Sequence, residues 1–201
     1  MTPTGNKQNN NPSVYDDYYG SEYEKFFRIL DTRRRFIKES IMSWGGEMNN
    51  VLDLGCGWGE LFNYLDKIYY KDNYPAYTFK GTGIDYCGKT ILKNIDRNPL
   101  YTWQYHNLEN ELKIDDESFD FVFCGETIEH LSNPAICLSE IYRVTKKGGL
   151  IIITVPLNDR NDAPEHMHYF SEIDLIKSVP GELISYNLYE KAQQCAAWVK
   201  N

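Results

Sequence analysis

Two short stretches combine carboxylate and imidazole side chains that could carry chemistry. They are Glu126-Thr127-Ile128-Glu129-His130 and Glu165-His166-Met167-His168. A histidine beside carboxylates can accept a proton from a hydroxyl near neutral pH, so we predict that His130 and Glu129 act in catalysis. The same groups are ligands for divalent cations and do not select among Mg, Mn, Fe and Zn. The candidate metal ligands are Glu126, Glu129, His130 and His168, with a purely structural role in ordering the two loops as the alternative.

A glycine-rich loop and a later acidic residue indicate a nucleotide-like ligand. The sequence Val51-Leu52-Asp53-Leu54 predicts a short buried strand, and Gly55, Gly57 and Gly59 follow it. Glycines permit a tight turn in which the backbone approaches a ligand beside a helix N-terminus. Asp85 ends a second predicted strand, where a carboxylate can accept hydrogen bonds from both hydroxyls of a ribose. Together these features predict an adenosine-binding site.

The spacing of the glycines and the acidic residue before them indicate which adenosine compound binds. Dinucleotide sites have the pattern G-x-G-x-x-G, with a pyrophosphate at the helix N-terminus. Here the pattern is G-x-G-x-G, and Asp53 precedes it within the strand. A carboxylate would repel a pyrophosphate but attract the cationic ammonium and sulfonium groups of S-adenosylmethionine. We therefore predict S-adenosylmethionine as the cofactor, and NAD-dependent oxidoreduction is the weakest rival.

Predicted strands and helices alternate along the chain from residue 51 onward. The predicted strands are 51–54, 79–85, 101–105, 119–124 and 150–155, followed by a closing hairpin over 183–189 and 195–199. Helices are predicted between them, including 88–97 and one that starts at Pro134 and ends at Gly148-Gly149. This alternation predicts right-handed βαβ units and an α/β fold with a parallel sheet covered on both faces. Ligands bind such sheets at the carboxyl ends of the strands.

The first part of the chain predicts a leader and a covering helix. Residues 1–13, rich in Asn, Thr, Pro and Gly, predict a disordered leader, and 14–201 predict one domain. Within that domain, 14–46 form an N-terminal capping region whose amphipathic helix stops at Gly45-Gly46. The run Arg33-Arg34-Arg35 lies in this helix. It is either a solvated face or a surface for an acidic ligand or lipid.

Four motifs, in order, resemble those of the class I S-adenosylmethionine-dependent methyltransferases. They are residues 51–59, Asp85, 119–124 with 126–131, and 138–156, where the family pattern is L-x-E-x-x-R-x-L-K-P-G-G. The resemblance covers about residues 15–190 and implies a Rossmann-like, doubly wound, mostly parallel seven-stranded sheet. The stretch E-x-x-E-H also occurs in methyltransferases that make ubiquinone and in those that methylate the 3′-terminal ribose of small RNAs. The resemblance implies that in those methyltransferases this stretch binds a metal that positions the acceptor hydroxyls.

The resemblance also implies a set of cofactor-binding residues. The set is Asp53, Gly55, Cys56, Gly57, Gly59, Asp85, Tyr86, Asn107, Leu108 and Gly125. By this resemblance Asp53 lies near the ammonium group through water, Asp85 holds the ribose hydroxyls, and Tyr86 packs on the adenine. The loop glycines and Gly125 line the methionine part. Asn107 and Leu108 stand at the adenine edge, where the family often has Asp in the first position, and an amide oxygen can still accept from the adenine amino group.

Composition and net charge indicate which kinds of binding partner and methyl acceptor to expect. The net charge is −8 and the pI is about 5.0, which argues against nucleic acid as the main partner because like charges repel. Five cysteines without a C-x-x-C pair predict reduced thiols and a cytoplasmic protein, and no apolar run is long enough for a membrane span. The expected acceptor is therefore a small hydroxylated molecule, such as a sugar, a phenol or quinol, or a tailoring intermediate, methylated on oxygen. The alternatives are ribose 2′-O-methylation of RNA and a protein that binds S-adenosylmethionine without catalysis.

Overall fold

The computed structural model describes residues 31–71, 79–157, 166–189 and 193–201. The predicted leader over 1–13, and the capping region before residue 31, lie outside these ranges. The helices are α1 (Asp31–Trp44), α2 (Glu60–Lys71), α3 (Gly88–Arg97), α4 (Pro134–Val144) and α5 (Glu172–Ile176). The strands are β1 (Asn50–Leu54), β2 (Lys80–Asp85), β3 (Thr102–Tyr105), β4 (Phe119–Gly125), β5 (Thr145–Pro156), β6 (Glu182–Tyr189) and β7 (Gln193–Val199). A short 3-10 helix spans Ile128–His130.

The strands of the described residues form one seven-stranded sheet in the order β3-β2-β1-β4-β5-β7-β6. The strands from β3 to β5 pair in parallel, whereas β7 pairs antiparallel with both β5 and β6. The Rossmann-like, mostly parallel α/β fold predicted from the sequence is confirmed. The parallel register brings the carboxyl ends of β1, β2, β4 and β5 to one edge of the sheet.

Hydrophobic clusters cover both faces of the sheet because strand side chains alternate between faces. On one face, Leu52 and Leu54 of β1 lie in a cluster with Ile141 of α4. On the other face, Val51 lies in a cluster with Phe36 of α1 and with residues of α2 and α3. Trp44 at the end of α1 donates a hydrogen bond from Nε1 to Gly148 O over 2.7 Å, which fixes that helix end near the start of β5. Every helix in the described part of the chain is too short or too polar to cross a bilayer.

Three predicted helix boundaries are wrong. Helix α4 ends at Val144, before the predicted end at Gly148-Gly149, and β5 already begins at Thr145. There Thr145 pairs with Phe119 of β4, and its hydroxyl donates to Ile141 O over 2.6 Å, so sheet pairing overrides the helical pattern. The tyrosine-rich stretch 69–77 predicts a loop, whereas helix α2 continues to Lys71 because the sequence offers no Gly or Pro until Pro75. Helix α5 ends at Ile176, earlier than the Pro180-Gly181 pair indicates.

The L-x-E-x-x-R stretch of α4 anchors the segment between β3 and β4. Arg143 donates to Glu140 Oε2 and Asp116 Oδ1, each over 2.7 Å. It also donates to the carbonyl oxygens of Ile114 (2.7 Å) and Leu112 (3.1 Å). Glu140 Oε2 in turn accepts from the Leu112 N–H over 2.7 Å. The motif therefore ties a loop to the helix.

Candidate active site

The loop after β1 is held against the end of β2. The N–H groups of Gly55 and Cys56 both donate to Ile84 O, over 2.8 Å and 3.0 Å. Gly55, Gly57 and Gly59 all have positive φ, at 73°, 46° and 70°. Side chains rarely tolerate that conformation, so the loop requires glycine at these positions.

The three glycines differ in what surrounds them. A Cβ on Gly55 would lie 2.1 Å from Thr127 Oγ1, and one on Gly59 would lie 2.5 Å from a ring carbon of Trp103. A Cβ on Gly57 would meet no atom within 4 Å. Gly55 and Gly59 are therefore packed inside the protein, whereas Gly57 faces open space. A cofactor therefore has room to lie close to the backbone at Gly57.

Two carboxyl groups flank the loop, the buried Asp53 and the half-buried Asp85. Asp85 accepts from the N–H groups of Gly57 (to Oδ2) and Cys87 (to Oδ1), each over 2.8 Å, and the backbone of Tyr86 also hydrogen-bonds to it. Burial raises the pKa of Asp85 despite these bonds. Burial, followed by the charge of Asp85, raises the pKa of Asp53 and of the Cys56 thiol well above their usual ranges. Buried carboxyls gain most from a nearby cation, which fits the ammonium and sulfonium groups of the predicted cofactor.

The predicted adenine edge follows β2 and β3. Tyr86 stacks on Tyr105 with ring centroids 5.4 Å apart. Asn107 Oδ1 accepts from the Glu109 N–H over 2.9 Å, so the amide oxygen expected to meet the adenine already has a partner within its own loop. The side chain of Leu108 is buried in the hydrophobic cluster of α4.

The chain turns sharply at Glu126, directly after β4 ends. Glu126 has a φ of 50°, which is uncommon for a residue with a side chain. Its N–H donates to Thr154 O over 2.9 Å, and its Oε1 accepts from Thr154 Oγ1 and Gln193 Nε2, each over 3.1 Å. On its N-terminal side, a Cβ on Gly125 would lie 2.6 Å from the Phe123 ring. These contacts with β5 and β7 place the 3-10 helix at the carboxyl edge of the sheet.

Glu129, in this 3-10 helix, carries a buried carboxyl that finds no hydrogen-bond partner in the described part of the chain. It is 1% exposed, and both carboxyl oxygens are buried and find no partner among the described residues. Burial, followed by the charge of Glu126, raises its pKa well above the usual range, whereas the charge of Arg33 acts in the opposite direction. Buried polar groups are nearly always hydrogen-bonded, so a carboxyl whose oxygens find no partner among the described residues is able to accept from a ligand at this edge.

Histidines from two loops meet beside Glu129. The N–H groups of Met167 and His168 donate to Glu129 O over 2.8 Å and 3.1 Å, which docks the segment before α5 onto the 3-10 helix. The rings of His130 and His166 then lie 4.8 Å apart, and His130 Nε2 lies 3.9 Å from Glu129 Oε1. The ligand atoms of Glu129, His130 and His166 all lie within 4.8 Å of one another. One carboxylate and two imidazoles in this arrangement could hold a divalent cation or move a proton.

The structure distributes the predicted metal ligands over two sets of contacts. Glu129 and His130 come together with His166. Glu126 instead contacts Thr154 and Gln193, and His168 Nε2 lies 3.2 Å from Ser132 O. The sequence analysis named His168 as the candidate ligand from this loop, whereas the structure brings His166 to Glu129 and His130. The difference arises because the choice depends on which side of the docked loop faces the 3-10 helix.

Sequence reasoning also missed Arg33 as a neighbour of the site. Its Nε is buried without a partner among the described residues, and its charge acts on the pKa of Glu129. The sequence did contain a signal for this position. Arg33 precedes the buried Phe36 and Ile37 by three and four residues, and residues at that spacing share a helix face.

Comparisons with known proteins identify the family and the fold. A family model described as "Methyltransferase domain" matches residues 52–153. The chain is 24% identical over 197 residues to the ubiquinone biosynthesis O-methyltransferase of Pseudomonas putida strain F1, covering 90% of this chain and 74% of that protein. It is 27% identical over 192 residues to the demethylmenaquinone methyltransferase of Chlamydia trachomatis serovar D, covering 94% and 80%. The fold is similar to that of a SAM-dependent methyltransferase from Aquifex aeolicus, with a TM-score of 0.66, 21% identity and coverage of 95% and 99%.

Proposed function

The chain belongs to the class I S-adenosylmethionine-dependent methyltransferases, and on that premise we propose that it methylates a hydroxyl group of a small molecule. The observation that carries this proposal is the buried Glu129 carboxyl, whose oxygens have no partner among the described residues and which lies beside His130. An acceptor hydroxyl beside this pair would place its proton within reach of the His130 imidazole, with the Glu129 carboxyl next to it. The net charge of −8 favours a small acceptor over a nucleic acid. The names of the two curated relatives refer to quinones, which favours a phenol or quinol among hydroxylated molecules.

The residues of the glycine loop edge bind and orient the cofactor in this proposal. Bound S-adenosylmethionine supplies an electrophilic methyl group on a sulfonium. Asp85 accepts from a ribose hydroxyl, and Asp53 stabilises the cationic methionine part. The open side of Gly57 leaves room for the cofactor to lie close to the loop backbone. All of these cofactor contacts stay predictions, as do those implied for Tyr86 and Asn107 at the adenine.

His130 is the proposed general base. With the cofactor bound, its methyl group would pass to the acceptor oxygen and a neutral thioether would leave. The hydroxyl proton passes to the His130 imidazole, and Glu129, 3.9 Å away, stabilises the resulting imidazolium. Such general-base assistance contributes about 10²–10⁴-fold in rate.

The same side chains support a second version of the site, in which Glu129, His130 and His166 hold a divalent cation. A cation there would lower the pKa of an acceptor hydroxyl. His130 would then use its lone pair as a ligand and not as a base. Removal of metal therefore distinguishes the two versions, because activity survives it only in the version in which His130 acts as the base.

The test uses EDTA-treated protein with S-adenosylmethionine and a panel of phenols, catechols and quinols, with and without added Mn or Mg. Proton NMR of the product distinguishes a methyl group on oxygen from one on carbon. His130→Asn is expected to lower turnover by about 10²-fold or more while calorimetric binding of S-adenosylhomocysteine stays unchanged. Turnover that survives this substitution would remove His130 from the mechanism. A product methylated on carbon would overturn hydroxyl transfer, and absence of S-adenosylhomocysteine binding would contradict the cofactor assignment.

A further inference from the structure

Helix α3 carries a buried side chain, Asn94, that contacts the glycine loop from the protein side. Asn94 is 2% exposed, and its Nδ2 donates to Gly57 O over 2.7 Å. The Gly57 N–H donates to Asp85 Oδ2 over 2.8 Å. Both backbone polar groups of Gly57 are therefore held by side chains, one at the end of β2 and one on the following helix.

These two bonds matter because Gly57 has no side chain to restrict it. Glycine loses more conformational freedom on ordering than any other residue. Gly57 adopts a positive φ of 46° and borders open space where its Cβ would stand. A loop that is already ordered costs a ligand less free energy to bind than one that must become ordered.

The same helix holds the next residue of the loop. The Lys93 ammonium lies 4.5 Å from the centre of the Trp58 ring, and the Arg97 guanidinium lies 5.2 Å from it. Cations over an indole ring are attracted by its π-electrons. Residues 93, 94 and 97 therefore hold two consecutive loop residues from one helix.

We propose that Asn94 is a positioning residue for S-adenosylmethionine, which fixes the Gly57 peptide so that the cofactor loop is formed before the cofactor arrives. Asn94 contacts the loop and not the reacting atoms. The inference depends on the cofactor that the family uses and is independent of the acceptor and of the proposed base. In this proposal the G-x-G-x-G glycines do not determine cofactor binding alone. The conformation of Gly57 also depends on the side chain of Asn94, 37 residues later.

Calorimetric titration with S-adenosylhomocysteine tests the proposal. Asn94→Ala is expected to raise the Kd about tenfold, the effect of losing one modest hydrogen bond. The matched control is Thr90→Val, because Thr90 is also 2% exposed on α3 and donates through Oγ1 to Cys87 O over 2.8 Å. That variant is expected to keep the Kd within twofold. A Kd for Asn94→Ala within twofold of wild type, or an equal loss in Thr90→Val, would overturn the proposal.

Hydrogen exchange without ligand provides a readout that general destabilisation of α3 does not mimic. Asn94→Ala should speed amide exchange in residues 55–59 more than in β2 or α3, whereas Thr90→Val should act on α3 alone. Unchanged exchange of the loop in Asn94→Ala would contradict preordering. If the alanine variant does not fold, Asn94→Ser takes its place, because its hydroxyl is too short to reach Gly57 O, and the same two measurements decide.

Discussion

Alanine substitutions at Gly57 and Gly59 should separate cofactor contact from internal packing. Both glycines have a left-handed backbone, with φ of 46° and 70°, so each substitution carries the same conformational cost of about 1–2 kcal/mol. At Gly59 the new Cβ also meets a ring carbon of Trp103 at 2.5 Å. Trp103 is 9% exposed, and its Nε1 donates to Asn98 O over 2.9 Å, so the ring cannot move freely. Overpacking of this kind adds about 1–3 kcal/mol.

At Gly57 the protein imposes no such packing cost, because its Cβ meets no atom within 4 Å. Urea unfolding should therefore show Gly59→Ala to be about 1–3 kcal/mol less stable than Gly57→Ala. Calorimetry with S-adenosylhomocysteine should show the larger affinity loss in Gly57→Ala, measured at a temperature where both variants are folded. Equal free energies of unfolding would refute the packing argument. Wild-type affinity in Gly57→Ala would refute the assignment of the open side of Gly57 to the cofactor.

Two further substitutions test the binding edge and the helix anchor. Asp85→Asn leaves one carbonyl oxygen to serve the Gly57 and Cys87 N–H groups and the ribose. Calorimetry should therefore show S-adenosylhomocysteine binding weakened about 30-fold, or about 2 kcal/mol. Asp96→Asn, at an exposed position, is the control. Glu140→Gln should lower the free energy of unfolding at pH 7 by about 2 kcal/mol. The Arg143 hydrogen bond lowers the pKa of Glu140 below its ordinary 4.5, so this stabilisation is present above pH 4.5 and is lost as pH falls through the folded-state value. Denaturant unfolding across pH 3–7 checks it, and a difference that persists undiminished at pH 3 would contradict an ionic origin.

The cofactor half of the site could be predicted because its determinants are local in sequence. Three glycines with positive φ directly follow a run of buried residues. Asp85 ends a strand whose alternation with the next helix is regular. Parallel strands with right-handed crossovers then bring the two strand ends to the same edge, so the sequence pattern and the topology rules together predict a common site.

For the proposed acceptor-binding half of the site, around Glu129 and His130, the sequence predicted candidate residues but not how they are arranged. Its geometry depends on contacts between segments about 30–70 residues apart, such as Gln193 with Glu126 and Met167 with Glu129. No local pattern encodes the insertion of β7 between β5 and β6, yet this strand supplies Gln193. The early start of β5 at Thr145 has the same origin, because pairing with a neighbouring strand outweighs local helical preference.

Several features that ordinary stability rules disfavour lie at this single edge of the sheet. Glu126 has a left-handed backbone where glycine would be unstrained, Glu129 buries a carboxyl without a partner among the described residues, and Asp53 is a carboxyl buried near Asp85. Each would be removed by substitution with glycine or an apolar residue if the free protein had only to be stable. A cation near Asp53 and a hydroxyl donor or metal at Glu129 would each offset the corresponding cost. The concentration of these costs, more than any one contact, argues that the edge is built to be completed by its ligands.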